Sequence, residues 1–250
     1  MNYYSKKEFD DKGYVVINDV LSKEEISLYK KKLASILDTQ IAEFGSEKLS
    51  LINEESSVRC PLLYDNEFLS LFYNTTIDNI VNDILGKYYI MSLQNAIIIP
   101  PKKSHHQSFY HRDIIHQDFT SSKPLAVNIY FCLDEYSEET GGTTFIPGSH
   151  NMDVFPSVYK EETPVVDSGS VILFNSMIYH KAGSNNANTY RFGINHMFTL
   201  PFIKQQINLP LALKGKYKDV PNLNRILGYM TREYDDVLDF RNERLRKLAK

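Results

Sequence analysis

The stretch LAVNIYFCLDEYSEETGGTTFIPGSH, residues 125–150, contains two short runs rich in β-branched and aromatic residues, 125–133 and 143–146. Gly141-Gly142 separates them and Pro147-Gly148 ends the second, and both pairs are turn signals. Working outward, runs of the same texture recur at 88–99, 170–174 and 191–199, punctuated by Pro100-Pro101 and Asp167-Ser168-Gly169. Several strands at this spacing with no helix between them predict an antiparallel sandwich or barrel rather than alternating β-α-β units.

The flanks read as helical. Ser22-Lys-Glu-Glu25 fits a capping box, followed by Ile26, Tyr29, Leu33, Ile36 and Leu37 at helical spacing. A second helix is predicted over about 66–86, with Gly86 as its stop, and the tail after Pro210 is read as mainly helical, notably from Arg232 onward. With no repeat or low-complexity linker, residues 1–250 are expected to form one domain: N-terminal helices over 22–86, a β-barrel core over about 88–200 and a helical tail over about 210–250. The 17 Tyr and 14 Phe can fill a large core.

Charge and cysteine usage exclude several classes. A net charge of −3 with dispersed basic residues argues against a nucleic-acid surface, and the basic run at 244–250 is read as a solvated helix end. Cys60 and Cys132 show neither a disulfide framework nor metal-ligand spacing and are read as buried thiols. No apolar run has the length of a signal peptide or membrane span, so no membrane partner and a cytoplasmic location are expected.

The chemistry concentrates in HHQSFYHRDIIHQDF, residues 105–119, which carries four of the seven histidines and two His-x-Asp triplets, His111-Arg-Asp113 and His116-Gln-Asp118. On an extended strand, residues i and i+2 share a face, so such a triplet offers an imidazole nitrogen beside a carboxylate oxygen. His180, after the strand-like 170–174 run, is the obvious third ligand. Two histidines and one carboxylate leave adjacent positions open, which suits ferrous iron binding a bidentate co-substrate and O2. Eleven residues later, Arg191 opens the next strand, and its planar fork suits the far carboxylate of 2-oxoglutarate. Asn128 and Tyr130 share one face of an otherwise apolar strand, where each needs a partner: the co-substrate or a structural hydrogen bond.

In these features the chain resembles the phytanoyl-CoA dioxygenase family of 2-oxoglutarate oxygenases along most of its length. The resemblance rests on FDDKGYVVI (9–17), the His-x-Asp region, ETGGTTFIPGSH (139–150) and the His180-to-Arg191 spacing, all in order. It implies a double-stranded β-helix (a jelly-roll barrel) with Fe(II) near its mouth. It also implies decarboxylation of 2-oxoglutarate to succinate and CO2, coupled to hydroxylation of a small-molecule substrate that the family does not specify. Spacing to the family's glycine favours the first triplet, since Asp113 lies 28 residues before Gly141 and Asp118 only 23. The expected site is therefore His111, Asp113 and His180 on iron, with Arg191, Asn128 and Tyr130 toward 2-oxoglutarate; His116 and Asp118 are read as a pocket rim. Halogenating relatives have a small residue where this chain keeps Asp113, so hydroxylation or a related oxidation is expected.

Plainer readings compete. His-Arg-Asp copies the protein-kinase catalytic loop, but the fifth residue on is Asp118 rather than Asn, and no glycine-rich phosphate loop exists. A zinc hydrolase or isomerase on a similar barrel would explain the ligands but gives Arg191 no task. A binding barrel without chemistry would be expected to have damaged ligands. His150 is read as supporting its turn, His196 as a satisfied internal histidine, and His105 and His106 as solvated.

Overall fold

The computed structural model describes residues 3–104, 107–114 and 120–248; His105, His106, His116 and Asp118 lie outside the described residues. The chain opens with α1 (Lys6–Lys12), closed by Gly13 in the left-handed region, then β1 (Tyr14–Ile17). α2 (Lys23–Phe44) follows, and both halves of its capping box form. After α3 (Ser46–Leu51), β2 (Ser57–Arg59) and α4 (Thr75–Leu85) come the strands β3 (Ile90–Ile99), β4 (Lys103–Ser104), β5 (Ala126–Cys132), β6 (Thr143–Phe145), β7 (Val171–Asn175), β8 (His180–Ala182), β9 (Ser184–Asn185) and β10 (Arg191–Thr199). Three helices end the chain: α5 (Leu209–Ala212), α6 (Leu223–Ile226) and α7 (Val237–Leu248).

Six strands form one antiparallel sheet in the order β1-β7-β5-β10-β3-β2, and β6-β8 and β4-β9 form two small ladders. Alternation along each strand divides the main sheet's side chains between two cores. Val15, Ile129, Phe131, Leu173 and Ile194 pack with Tyr29 and Leu33 of α2 and Ile77 and Ile80 of α4. Tyr14, Tyr130, Cys132, Ile172 and Phe174 face the other way and meet Tyr136, Phe145 and Ile178. Phe145 lies on the β6-β8 ladder, so the small ladder covers the concave face and the helices cover the convex one. This is the expected mainly-β jelly roll with flanking helices. Each fully buried Leu or Phe in these layers contributes roughly 1.5–3 kcal/mol.

The sequence-based boundaries differ from the structure in three places. The helix predicted over 66–86 is broken: residues 66–69 form a 3-10 turn, and Asn74, with extended backbone, accepts from the Ile77 amide to start α4 afresh. The tail is less helical than expected, because Gly215, Pro221 and Gly228 interrupt it and only α7 exceeds a single turn. The His111–Asp113 triplet is not on a strand: His111 makes one isolated bridge with His180, and Asp113 follows at a bend. Cys60 and Cys132 are buried free thiols, and burial pushes the Cys60 thiol up to about 11. No helix among the described residues is long and apolar enough to cross a membrane.

Candidate metal centre

The triplet reaches the concave face through backbone bonds rather than strand pleating. The His111 and His180 amides each donate to the other's carbonyl, at 3.0 and 3.1 Å, and the Asp113 amide donates to the Ser176 carbonyl at 3.0 Å. Between the two potential ligands, the Arg112 side chain turns away, donates to the Ser149 and Met152 carbonyls and stacks on the Tyr179 ring at 4.1 Å. Since Tyr179 precedes His180, Arg112 ties both halves of the cluster to one turn.

One nitrogen, one oxygen and a second nitrogen result, all within 4.8 Å of one another. Both imidazoles use Nδ1 to donate to the carbonyl two residues earlier, His111 to Phe109 at 2.9 Å and His180 to Ile178 at 3.0 Å. That bond fixes the tautomer and leaves each Nε2 lone pair toward the shared centre. Asp113 Oδ1 lies 3.7 and 3.6 Å from these two nitrogens. Burial, followed by smaller opposing effects of Asp113 and His111, holds His180 below the usual imidazole range, so it is neutral at pH 7 as a metal ligand must be. The donor set fits a divalent metal with open positions.

The other Asp113 oxygen, Oδ2, accepts from Asn128 Nδ2 at 2.8 Å, and the same nitrogen donates to Ser176 Oγ at 2.8 Å. Asn128 Oδ1 accepts from Asn195 Nδ2 at 3.0 Å. Asn128 is thus fully buried behind Asp113 with its amide engaged by protein groups. Tyr130, two residues on, instead lines a cavity of about 330 Å3 that also meets His111, Asp113, His180 and Arg191. The structure therefore brings His111, Asp113, His180, Arg191 and Tyr130 to one cavity and sets Asn128 in the layer beneath it.

Arg191 is 3% exposed, yet no carboxylate pairs with it among the described residues. Its Nη1 donates to the Gly141 carbonyl, its plane stacks on Tyr136 at 4.3 Å, and its Nε has no partner among the described residues. A buried cation without an acid is costly, so an anionic guest is the natural complement. Burial raises both the Tyr130 and Tyr136 phenols, which keeps them protonated. Tyr136 donates to Tyr130 Oη at 2.9 Å, which leaves the Tyr130 proton for the cavity. Gly193 makes room for this pair, since a Cβ there would lie 2.0 Å from Tyr136 Oη. Gly141, at φ +77°, would drive a Cβ to 2.7 Å from the Ser184 carbonyl carbon, so the Gly-Gly turn can deliver its carbonyl to Arg191 only as glycine.

Sequence reasoning missed Asn195 and Arg59 at this cavity, and Tyr136 and Gly193 packed behind its Arg191 and Tyr130. Arg191, Gly193 and Asn195 alternate on β10 and share its concave face, a period-two signal that was present. Arg59 carries no such mark, because β2 is only three residues long. His196 is internal as expected, with Nε2 2.8 Å from Gln94 Nε2 and Phe72 and Phe131 rings around it, but its Nδ1 has no well-formed hydrogen bond among the described residues, so it is only half satisfied. His150 joins its turn to the N-terminal segment through the Asp10 carbonyl at 3.1 Å.

Comparison with known proteins agrees with this architecture. The uncharacterized protein Rv1501 of Mycobacterium tuberculosis is 31% identical over 208 residues, 80% of this chain and 76% of its own. EctD from S. alaskensis, solved with 2-oxoglutarate and 5-hydroxyectoine, superimposes with a TM-score of 0.63 at 19% identity, covering 77% of this chain and 74% of its own. The 2-oxoglutarate-dependent epimerase SnoN from nogalamycin biosynthesis gives 0.58 at 18% identity, covering 77% and 80%. The phytanoyl-CoA dioxygenase (PhyH) family profile matches residues 9–193, and with that match over most of its length the chain belongs to this family.

Proposed function

We propose that the chain, as one domain over residues 1–250, is an Fe(II)- and 2-oxoglutarate-dependent dioxygenase that hydroxylates a small molecule. The overall change is 2-oxoglutarate, O2 and a C–H bond going to succinate, CO2 and C–OH. The observation that carries the reading is the pairing, in one cavity, of a His-Asp-His cluster with a buried arginine that has no acid partner. Family membership and the resemblance of the fold to EctD and SnoN support it.

In this reading His111 Nε2, Asp113 Oδ1 and His180 Nε2 hold the iron. Asn128 holds Asp113 so that one oxygen faces the metal, and acts as a positioning residue rather than a co-substrate contact. Arg191 receives the far carboxylate of 2-oxoglutarate through the N–H groups not spent on Gly141, and Tyr130 adds a neutral donor. Bound iron supplies the O2 chemistry. Phe174 on the cavity wall and Phe145 behind it, whose ring centroids lie 5.0 and 5.9 Å from that of His180, would give the bound metal an apolar flank on that side.

The test is succinate formation from 2-oxoglutarate, dependent on both Fe(II) and O2. Arg191→Met is expected to keep the metal but raise the KM for 2-oxoglutarate a hundredfold or more, since breaking a buried charge pair costs about 3–5 kcal/mol. Metal-dependent hydrolysis with no oxygen requirement would replace this reading, and a KM within threefold of wild type would remove Arg191 as the anchor.

A further inference from the structure

The hydrogen-bond chain beneath the cluster constrains what else the cavity accepts. Asp113 Oδ2 can only accept, so Asn128 must turn its nitrogen to it and its oxygen to Asn195. Asn195 must therefore donate through Nδ2, and its Oδ1 is left as an acceptor, buried without a partner among the described residues. Asn195 is half-buried and lines the cavity. Neither 2-oxoglutarate, whose carboxylates and ketone only accept at neutral pH, nor O2 can supply the missing proton. Water aside, the group that can meet Asn195 in this cavity belongs to the third reactant.

Strand register extends this point into a polar wall. Arg59, Asn95, Asn195 and Tyr130 are paired across β2, β3, β10 and β5, and all four line the cavity. Ser57, Gln107 and Gln206 border the same space. Arg59 spends Nε and Nη2 on Glu54, so its charge is neutralised from outside the cavity. Its Nη1 lies 2.7 Å from the Asn95 amide oxygen once that amide is oriented to donate to the Gln94 carbonyl. The wall offers many hydrogen bonds and little net charge. The volume of about 330 Å3 sits at the small end of small-molecule sites and must also hold 2-oxoglutarate.

We infer that Asn195 is the docking acceptor for the primary substrate, a small polar molecule that presents an O–H or N–H to Asn195 Oδ1 and lies along the Arg59–Asn95 wall. A long acyl chain would leave the hydrogen-bonding groups of the Arg59–Asn95–Asn195 wall unmet. The inference rests on the oxygenase reading above.

The experiment measures succinate release by the Fe(II)-loaded protein with 2-oxoglutarate and O2, against free amino acids, hexoses and polyols on one side and palmitoyl-CoA on the other. Members of the polar set should stimulate release, and the O- or N-methylated counterpart of an active compound should not. Asn195→Leu should raise the KM for the active compound about tenfold or more while kcat changes less, as loss of a buried hydrogen bond dictates. Arg59→Met, at the opposite end of the wall, should raise the same KM and serves if Asn195→Leu fails to fold. Stimulation by palmitoyl-CoA alone, by no polar compound, or with an unchanged KM in both variants overturns the inference. Failure of the oxygenase reading is distinct: no succinate would then form under any condition, and 2-oxoglutarate would not bind the metal-loaded protein.

Discussion

Asn128 shows how much a metal site depends on a residue that does not touch the metal. Its one amide nitrogen holds Asp113 and Ser176 together, and its oxygen orders Asn195. Asn128→Leu keeps the shape but removes every bond, so Asp113 can rotate and its freed oxygen competes for the metal. Iron affinity should fall 10- to 100-fold, the usual range for losing a partner of a ligand. Competitive chelator titration checks this, and unchanged affinity would reduce Asn128 to a packing residue. At this scale the sequence marked residue types well and roles less well. A polar pair on an apolar strand was visible at Asn128 and Tyr130, but nothing local distinguishes a side chain facing the cavity from one locked behind a ligand. That distinction depends on Ser176 and Asn195, 48 and 67 residues away in sequence.

Among the elements, the long strands were legible because hydrophobic runs and turn residues are local properties. β10 matches its expected span, while β1, β2, β4, β8 and β9 were missed, since two to four residues carry no clear period. The break before α4 escaped because Leu69, Phe72, Ile80 and Ile84 run across Asn74 like the apolar residues of one helix. On β10, His196 points opposite to Asn195, into the convex core, where burial lowers its pKa to about 3. Gln94 Nε2 also donates to the Phe68 carbonyl, while Gln94 Oε1 receives the Leu62 amide, so His196 Nε2 accepts and the imidazole is neutral. The unfolded chain would protonate this histidine near its ordinary value of about 6.5. Its contribution to stability is therefore complete above about pH 6.5 and is lost progressively as pH falls toward about 3, by up to about 1.4 kcal/mol per unit. Urea midpoints of metal-free protein at pH 7.5, 6 and 5 should drop more steeply in wild type than in His196→Phe. Parallel slopes in the two proteins would place the acid sensitivity elsewhere.

For the whole molecule, the cluster joins segments far apart in sequence: the 107–114 segment, β8 and, through Asn128, β5. A metal there should act as a cross-link across the concave face. Occupancy at a hundred times the Kd stabilises the folded state by about 2.7 kcal/mol, or roughly 5–10 °C for a chain of this size. The fold class, the cluster and Arg191 were all readable from order and spacing. The physical basis for preferring Asp113 was not, because the strand that would have put both triplet residues on one face does not form. The choice between the two triplets is therefore the direct test. Fe(II)-induced shifts in Tm, measured without oxygen, should be compared for wild type, Asp113→Ala and Asp118→Ala. The account predicts a full shift in Asp118→Ala and little or none in Asp113→Ala. A full shift in Asp113→Ala with none in Asp118→Ala would contradict it.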